Sequence, residues 1–289
     1  MYDIIIIGGG PAGITAAIYG KRAGNKVLIL EAKKVGGAML KAHLIDNYPG
    51  LYHITGEELA DKFLDQIKEL DIEIKYEKAI NIMDNNNTKI VQTEENMYET
   101  KAIIIATGFD KRKLGLPNEE KLLGKGVSYC ATCDGNFFKN KDVAIIGGGE
   151  HSKEEALYLA NICNKVYYIT PRKVDNLDKD NIEIIIDKPS KINGTNKVES
   201  LSLEKNDDIE VSGVFIAIAS VPETSYLLTG IDLDDKGNVI SNEELKTNKN
   251  GIFVAGDIRN KKLKQVSTAV SDGALAATFA NEYIRSLSK

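Results

Sequence analysis

The sequence predicts an α/β protein built from two Rossmann-type units, each followed by a β-meander. Three observations carry that prediction: an internal repeat, a glycine turn between a buried strand and a helix in each copy, and short alternating segments after each copy. The repeat is the most specific. An offset of 139 residues lays Asp3-Ile4-Ile5-Ile6-Ile7-Gly8-Gly9-Gly10 on Asp142-Val143-Ala144-Ile145-Ile146-Gly147-Gly148-Gly149, and Asn25-Lys26-Val27 on Asn164-Lys165-Val166. A gap-free match over about thirty residues implies the same strand, turn, helix and second strand twice.

In chain order, the apolar run Ile4 to Ile7 leads into Gly8, Gly10 and Gly13, with Pro11 and Ala12 opening the helix. That spacing allows a tight turn and lets backbone N–H groups approach a pyrophosphate at the helix N-terminus. Glu31 ends the second strand, 23 residues after Gly8, where a carboxylate accepts hydrogen bonds from ribose hydroxyls. A glycine turn kept only for packing does not explain Glu31, so the first copy is expected to bind a dinucleotide. The alternating segments that follow, with a turn signal at Asn85-Asn86-Asn87, read as a meander closed by the buried strand Ala102 to Ala106 and Thr107-Gly108. The second copy repeats this plan, with a turn signal at Asn206-Asp207-Asp208, a strand from Gly213 to Ala219, and Val221-Pro222. A last strand, Gly251 to Ala255, meets the turn Gly256-Asp257, and a helix from about Val266 to Ser286 carries small residues at Ala269, Ala274, Ala276, Ala277 and Ala280 for close packing.

The bulk numbers fit this plan. A chain of 289 residues has room for two domains, and its 43% apolar and 27% charged composition is that of a globular protein. The net charge of −5, with Lys and Glu intermixed, leaves no basic face for nucleic acid. Apolar runs are strand-sized, far below the roughly 20 residues that span a bilayer, so no membrane partner is expected. No basic leader precedes Ile4, and a cytoplasmic protein is expected.

Cys130-Ala131-Thr132-Cys133 precedes the first strand of the second copy, with Asp134-Gly135 directly after it. Half a zinc site, a structural disulfide, two inert core thiols and a redox pair compete for this motif. Zinc lacks further ligands, because Cys163, His43, His53 and His151 are not at ligand spacing. A structural disulfide suits a cytoplasmic chain poorly, which favours the redox pair. Exchange needs one thiol ionised and the other protonated, and Asp134 is the titratable side chain beside the pair, which makes it a candidate proton donor and acceptor. Asp-Gly is also a common turn dipeptide, the competing explanation of Asp134. Cys163 lies in the helical pattern Leu157, Leu159, Ala160, Ile162 and is expected in the core.

From Met1 to about Ile284 the chain resembles the low-molecular-weight thioredoxin reductases. The motifs are Gly8-Gly9-Gly10-Pro11-Ala12-Gly13, Asn47-Tyr48-Pro49-Gly50, Ala106-Thr107-Gly108, Cys130-Ala131-Thr132-Cys133-Asp134-Gly135 and Gly256-Asp257. The resemblance implies a homodimer in which residues 1–113 and 241–289 form an FAD domain, interrupted by an inserted, smaller domain, residues 114–240, that carries the cysteines. It implies FAD as cofactor and thioredoxin as partner, with Cys133 facing the flavin, Cys130 attacking the partner disulfide and Asp134 managing protons. Gly37, Ala38, Met39, Leu40, Asn47, Gly256, Asp257, Gln265 and Val266 are implied as further cofactor contacts. It also implies a rotation about linkers near Lys111 to Pro117 and Val239 to Glu244. The larger reductases of glutathione and lipoamide use a His near the C-terminus, and this chain has none after His151.

The second copy departs from the working pattern. Pro11, Ala12 and Gly13 become Glu150, His151 and Ser152, and Glu31 becomes Thr170. A carboxylate at a helix N-terminus competes with a pyrophosphate for the same positive end. The NADPH enzymes of the family carry a His-Arg-Arg run where this chain has Thr170-Pro171-Arg172-Lys173, and the helix expected next is missing from the sequence through Asp175-Asn176-Leu177-Asp178. These departures resemble the ferredoxin-dependent flavin thioredoxin reductases, which implies ferredoxin as electron donor. The runner-up is a nicotinamide-dependent enzyme with an unusual site. The basic run Arg259, Lys261, Lys262 and Lys264 is a candidate steering surface for an acidic carrier, or a solvated loop.

Overall fold

A computed structural model describes residues 1–85, 88–109, 113–175, 177–218 and 230–287. The chain divides into two compact units, Met1–Asp110 with Val221–Lys289, and Lys111–Ser220. The elements of the first unit are β1 (Tyr2–Ile7), α1 (Pro11–Arg22), β2 (Val27–Leu30), α2 (Gly56–Glu69), β3 (Glu73–Lys75), β4 (Ala79–Asn85), β5 (Thr88–Thr93) and β6 (Met97–Ile105). The second unit contributes β7 (Val127–Ser128), α3 (Ala131–Asp134), β8 (Asp142–Ile146), α4 (Glu150–Ala160), β9 (Lys165–Thr170) and β10 (Ile182–Ile186), then β11 (Pro189–Asn193), β12 (Ser200–Leu203), β13 (Ile209–Glu210) and β14 (Gly213–Ile216). The chain ends in the first unit with β15 (Ile252–Val254) and α5 (Val266–Ser286). The α/β class and both meanders follow the sequence expectation. No helix among the described residues is long and apolar enough to cross a membrane.

The first unit holds a sheet in the order β3-β2-β1-β6-β5-β4, with β15 also paired to β6. β1 is buried on both faces, so its Ile4-Ile5-Ile6-Ile7 run is continuous rather than alternating. Ile4 and Ile6 pack with α1 and α5, while Ile5 and Ile7 pack with the meander side at Ala79 and Val91. α2 starts at a capping box, in which Thr55 Oγ1 accepts the Glu58 N–H and Glu58 Oε2 accepts the Thr55 N–H.

The second unit holds the sheet β10-β9-β8-β14-β7 and the antiparallel meander β11-β12-β13. The repeat is kept to the residue: Ile4 pairs with Val27 in the first sheet and Val143 with Val166 in the second. It fails where the sequence said it would. β2 reaches β3 through a segment that includes α2, whereas β9 reaches β10 through residues 171–181 with no helix among those described.

The inserted unit ends earlier than the expected residue 240. Ile231 and Val239 are buried in the first unit, and the Val239 N–H donates to Ile258 O at 2.8 Å. Of the expected second linker at Val239 to Glu244, Val239 is therefore in the first unit's core, as is Leu245 just after it, while Ile240, Asn242 and Glu243 are exposed. Asp110, Lys111, Arg112 and residues 219–229, where the chain passes from one unit to the other, lie outside the described residues.

Candidate active site

In the first unit, β1 delivers the chain into a turn that only glycines permit at two positions. Gly8 has φ +109°, and a Cβ there would lie 2.4 Å from Ala106 O. A Cβ on Gly13 would lie 1.9 Å from Gly8 O, so α1 can sit this close to β1 only with glycine. The α1 N-terminus begins at Gly10, with no side-chain cap and no acid in the first turn. Its backbone N–H groups are thus left to a ligand. Glu31 closes the far side, where its carboxylate accepts the Gly9 N–H at 2.7 Å and the Lys33 N–H at 2.8 Å.

The other implied cofactor residues converge on this turn. Gly37 opens a 3-10 turn through Ala38, Met39 and Leu40 to Lys41, and packs on the Gly10 Cα. Ala12 lies against Gly256, whose φ is +81°. The Asn47 amide donates to Gln265 Oε1 at 2.9 Å, and Val266 packs on the cluster of Met39 and Leu40. The Ala106 N–H donates to Ile7 O, setting Thr107-Gly108 beside the glycine turn. Asp257 follows Gly256 in a short 3-10 turn.

In the second unit, Cys130 and Cys133 form a disulfide. Cys130 stands at the N-cap of α3, where its Sγ accepts the Cys133 N–H at 3.2 Å and lies 3.4 Å from Thr132 Oγ1. Donors aimed at that sulfur favour its thiolate. The Asp134 carboxylate does not cap the 3-10 turn that follows, and accepts the Ser128 hydroxyl at 2.6 Å. Burial, with the Asp142 charge adding to it, pushes the Cys163 thiol up to about 11. As expected, Cys163 is a core residue, packed with Leu159 and Val166.

The second glycine turn carries the Ser152 side chain against Gly147 where the first has only glycine, while the space beside Gly149 is as open as that beside Gly10. Ser152, at the position of Gly13, accepts the Gly149 N–H at 3.1 Å and donates to Gly149 O at 2.6 Å. Its hydroxyl also meets that of Tyr168 at 2.7 Å. Glu150 places a carboxylate in the first turn of α4. Thr170 is turned inward onto Arg172 O, and Arg172 Nη2 donates to Gly148 O at 3.4 Å.

The chain matches the family model described as pyridine nucleotide-disulphide oxidoreductase over residues 2–273. A thioredoxin reductase from Listeria monocytogenes is 39% identical over 99% of this chain and 95% of its own length. The crystal structure of thioredoxin reductase from Streptococcus pyogenes is 38% identical, with a TM-score of 0.94 over 99% of both chains. A ferredoxin-flavin thioredoxin reductase from Clostridium acetobutylicum is 38% identical, with a TM-score of 0.59 over 99% of this chain and 98% of that one. The chain belongs to the pyridine nucleotide-disulphide oxidoreductase family. Within it, the chain is a thioredoxin reductase, a flavin-dependent disulfide oxidoreductase whose cofactor is FAD. The uncapped α1 N-terminus, with open space beside Gly10, fits the pyrophosphate of that cofactor.

For this family member, reading the sequence missed several residues. Asp272, buried on α5, accepts the Gly256 N–H at 3.0 Å, Arg259 Nη1 at 2.8 Å and Lys261 Nζ at 2.8 Å, and so locks the turn ahead of α5. Its signal was an acid on the stripe formed by Ala269, Gly273, Ala276 and Ala280. This network also corrects the candidate steering surface. Arg259 and Lys261 are held by Asp272, and Lys264 lies 4.2 Å from the centre of the Phe109 ring and donates to Asn238. Of the four cations, Lys262 alone is exposed. Beside the redox turn, buried Glu119 accepts the Tyr129 hydroxyl at 2.5 Å and the Leu116 N–H at 2.9 Å, and Glu155 of α4 accepts the Ala131 N–H at 3.3 Å. No spacing rule points to either carboxylate.

Proposed function

We propose that this protein passes electrons from FAD through Cys133 and Cys130 to the disulfide of a thioredoxin, and that FAD is recharged by reduced ferredoxin. The contrast between the two glycine turns carries the reading. Helix α1 presents bare N–H groups and α4 presents Ser152 and Glu150, so a dinucleotide is favoured at the first and opposed at the second. The lack of a helix among the described residues of the 171–181 segment adds to that opposition.

FAD, when bound, accepts two electrons and yields them to a disulfide. The residues of the chain supply the rest. Gly8, Gly10 and Gly13 bring the backbone up to the pyrophosphate, and Glu31 takes the ribose hydroxyls. The Cys133 N–H and Thr132 support Cys130 as the attacking thiolate. Asp134 gives and receives the proton of the dithiol. The homodimer implied by the family resemblance belongs to the same reading.

Thioredoxin reduction by the FAD-loaded protein is expected with reduced ferredoxin. Cys130→Ser and Cys133→Ser each abolish it while FAD stays bound, and retained activity in either variant overturns the pathway. A second reading, nicotinamide as donor, is favoured by Arg172 and Lys173, which stand exposed after β9. Turnover with NADPH or NADH and none with ferredoxin would select it.

A further inference from the structure

Ser128 is buried, at 4% exposure, and ends β7. Its hydroxyl bridges the redox turn: it donates to Asp134 Oδ2 at 2.6 Å and accepts the Cys130 N–H at 3.0 Å. A longer alternative acceptor, Cys130 O, lies at 3.3 Å. β7 pairs with β14 at Ser128 and Phe215, so this hydroxyl is carried by the sheet and not by the four-residue α3 that holds the cysteines. One buried atom therefore fixes the acid and the backbone of the attacking cysteine relative to the sheet.

We propose that Ser128 is a positioning residue for the disulfide exchange, holding the Asp134 carboxylate and the Cys130 amide in one arrangement so that protons enter and leave the dithiol at a fixed place. This rests on Asp134 being the proton donor and acceptor. In the exchange, the Cys130 thiolate attacks one sulfur of the partner disulfide. The other partner sulfur leaves and is protonated. The Cys133 thiolate then attacks Cys130 Sγ, the bond between the pair forms, and the second partner sulfur leaves with the second proton. Two electrons and two protons pass from the pair to the partner.

Donation from Ser128 favours the charged carboxylate, so its loss makes Asp134 hold its proton more tightly. The other titratable groups on this turn are Cys130, Cys133, Glu155 on the Ala131 N–H, His151 at 3.6 Å from Glu155, and Tyr158, whose ring lies against Gly135. Ser128 contacts Asp134 and the Cys130 backbone directly, so its removal acts first on Asp134.

The test uses the FAD-loaded full chain reduced by dithionite and mixed with a small aromatic disulfide, dithiobis-nitrobenzoate, so that it does not depend on the natural donor. The rate is followed against pH for wild type, Ser128→Ala, Ser128→Thr, Asp134→Asn and the Ser128→Ala/Asp134→Asn pair. Asp134→Asn is expected to remove one limb of the profile. Ser128→Ala is expected to move that limb up by about one pH unit and to slow the reaction roughly tenfold, with no further effect in the pair. Ser128→Thr, which keeps the hydroxyl, is expected to restore the position of the limb. If the alanine variant does not fold, Ser128→Thr carries the test, because a limb displaced while the hydroxyl is kept overturns the role of Ser128. A uniform loss of rate in Ser128→Ala with an unmoved limb, while Asp134→Asn removes that limb, overturns the role of Ser128 and leaves Asp134 in place. A limb that persists in Asp134→Asn overturns the role of Asp134 and the inference with it.

Discussion

Replacing Gly13 with alanine tests the cofactor cradle through packing alone. The added Cβ would sit 1.9 Å from Gly8 O, and must move by more than 1 Å to reach the 3.0 Å below which real contacts essentially never fall. The neighbour is backbone held between β1 and α1, so the strain cannot be relieved by rotating a side chain. Overpacking of this kind costs about 1–3 kcal/mol. Because it distorts the turn that meets the pyrophosphate, FAD affinity should fall by roughly 5- to 150-fold. Gly10→Ala is the control. Gly10 has φ −79° and nothing within 4 Å of its Cβ, so alanine fits the apoprotein without strain. Melting of the apoprotein should be lowered by Gly13→Ala and unchanged by Gly10→Ala. FAD retained per chain after ultrafiltration should fall in both, because the open space at Gly10 is where the cofactor approaches. Full FAD retention at wild-type affinity in both variants would refute the assignment of this turn as the cradle.

Two further outcomes follow from buried groups. Asp272→Asn leaves Arg259 without its anion and Lys261 with only the longer contact to Asp257 at 3.7 Å, and should cost about 3 kcal/mol, read as a lower urea midpoint, together with faster FAD release as the Gly256 turn loosens. Cys163 holds its proton up to about 11 in the fold, so an unfolded chain ionises first. Its contribution to stability is complete below the ordinary thiol range and is lost as pH rises toward that value. The melting temperature of wild type should therefore fall more steeply than that of Cys163→Ala between about pH 8 and 11, and parallel slopes would contradict the burial argument.

The sequence displayed its local patterns well. The repeat of Asp3 to Gly10 at Asp142 to Gly149 placed both β1 and β8, and their pairing with β2 and β9 keeps the same register. Helix α5 spans Val266–Ser286 as expected, because its small residues recur at helical spacing. The cradle residues were legible because glycine at Gly8 and Gly13 answers a local geometric demand. What tertiary contact decides was not legible. Ile231 and Val239 join the first unit through burial and the Ile258 carbonyl, which no local pattern announces. Arg259 and Lys261 looked like free cations until Asp272 was found on the inner face of α5. Ser128 had no signal beyond its place two residues before Cys130, since a hydroxyl earns a role only through what it touches.

Anaerobic mixing of the FAD-loaded protein with each donor in turn is the most direct test of how the two glycine turns are used. Rapid bleaching of the flavin by reduced ferredoxin, with none by NADPH or NADH, is the predicted result. Rapid bleaching by either nucleotide would show the second turn to be a working site and would contradict the account.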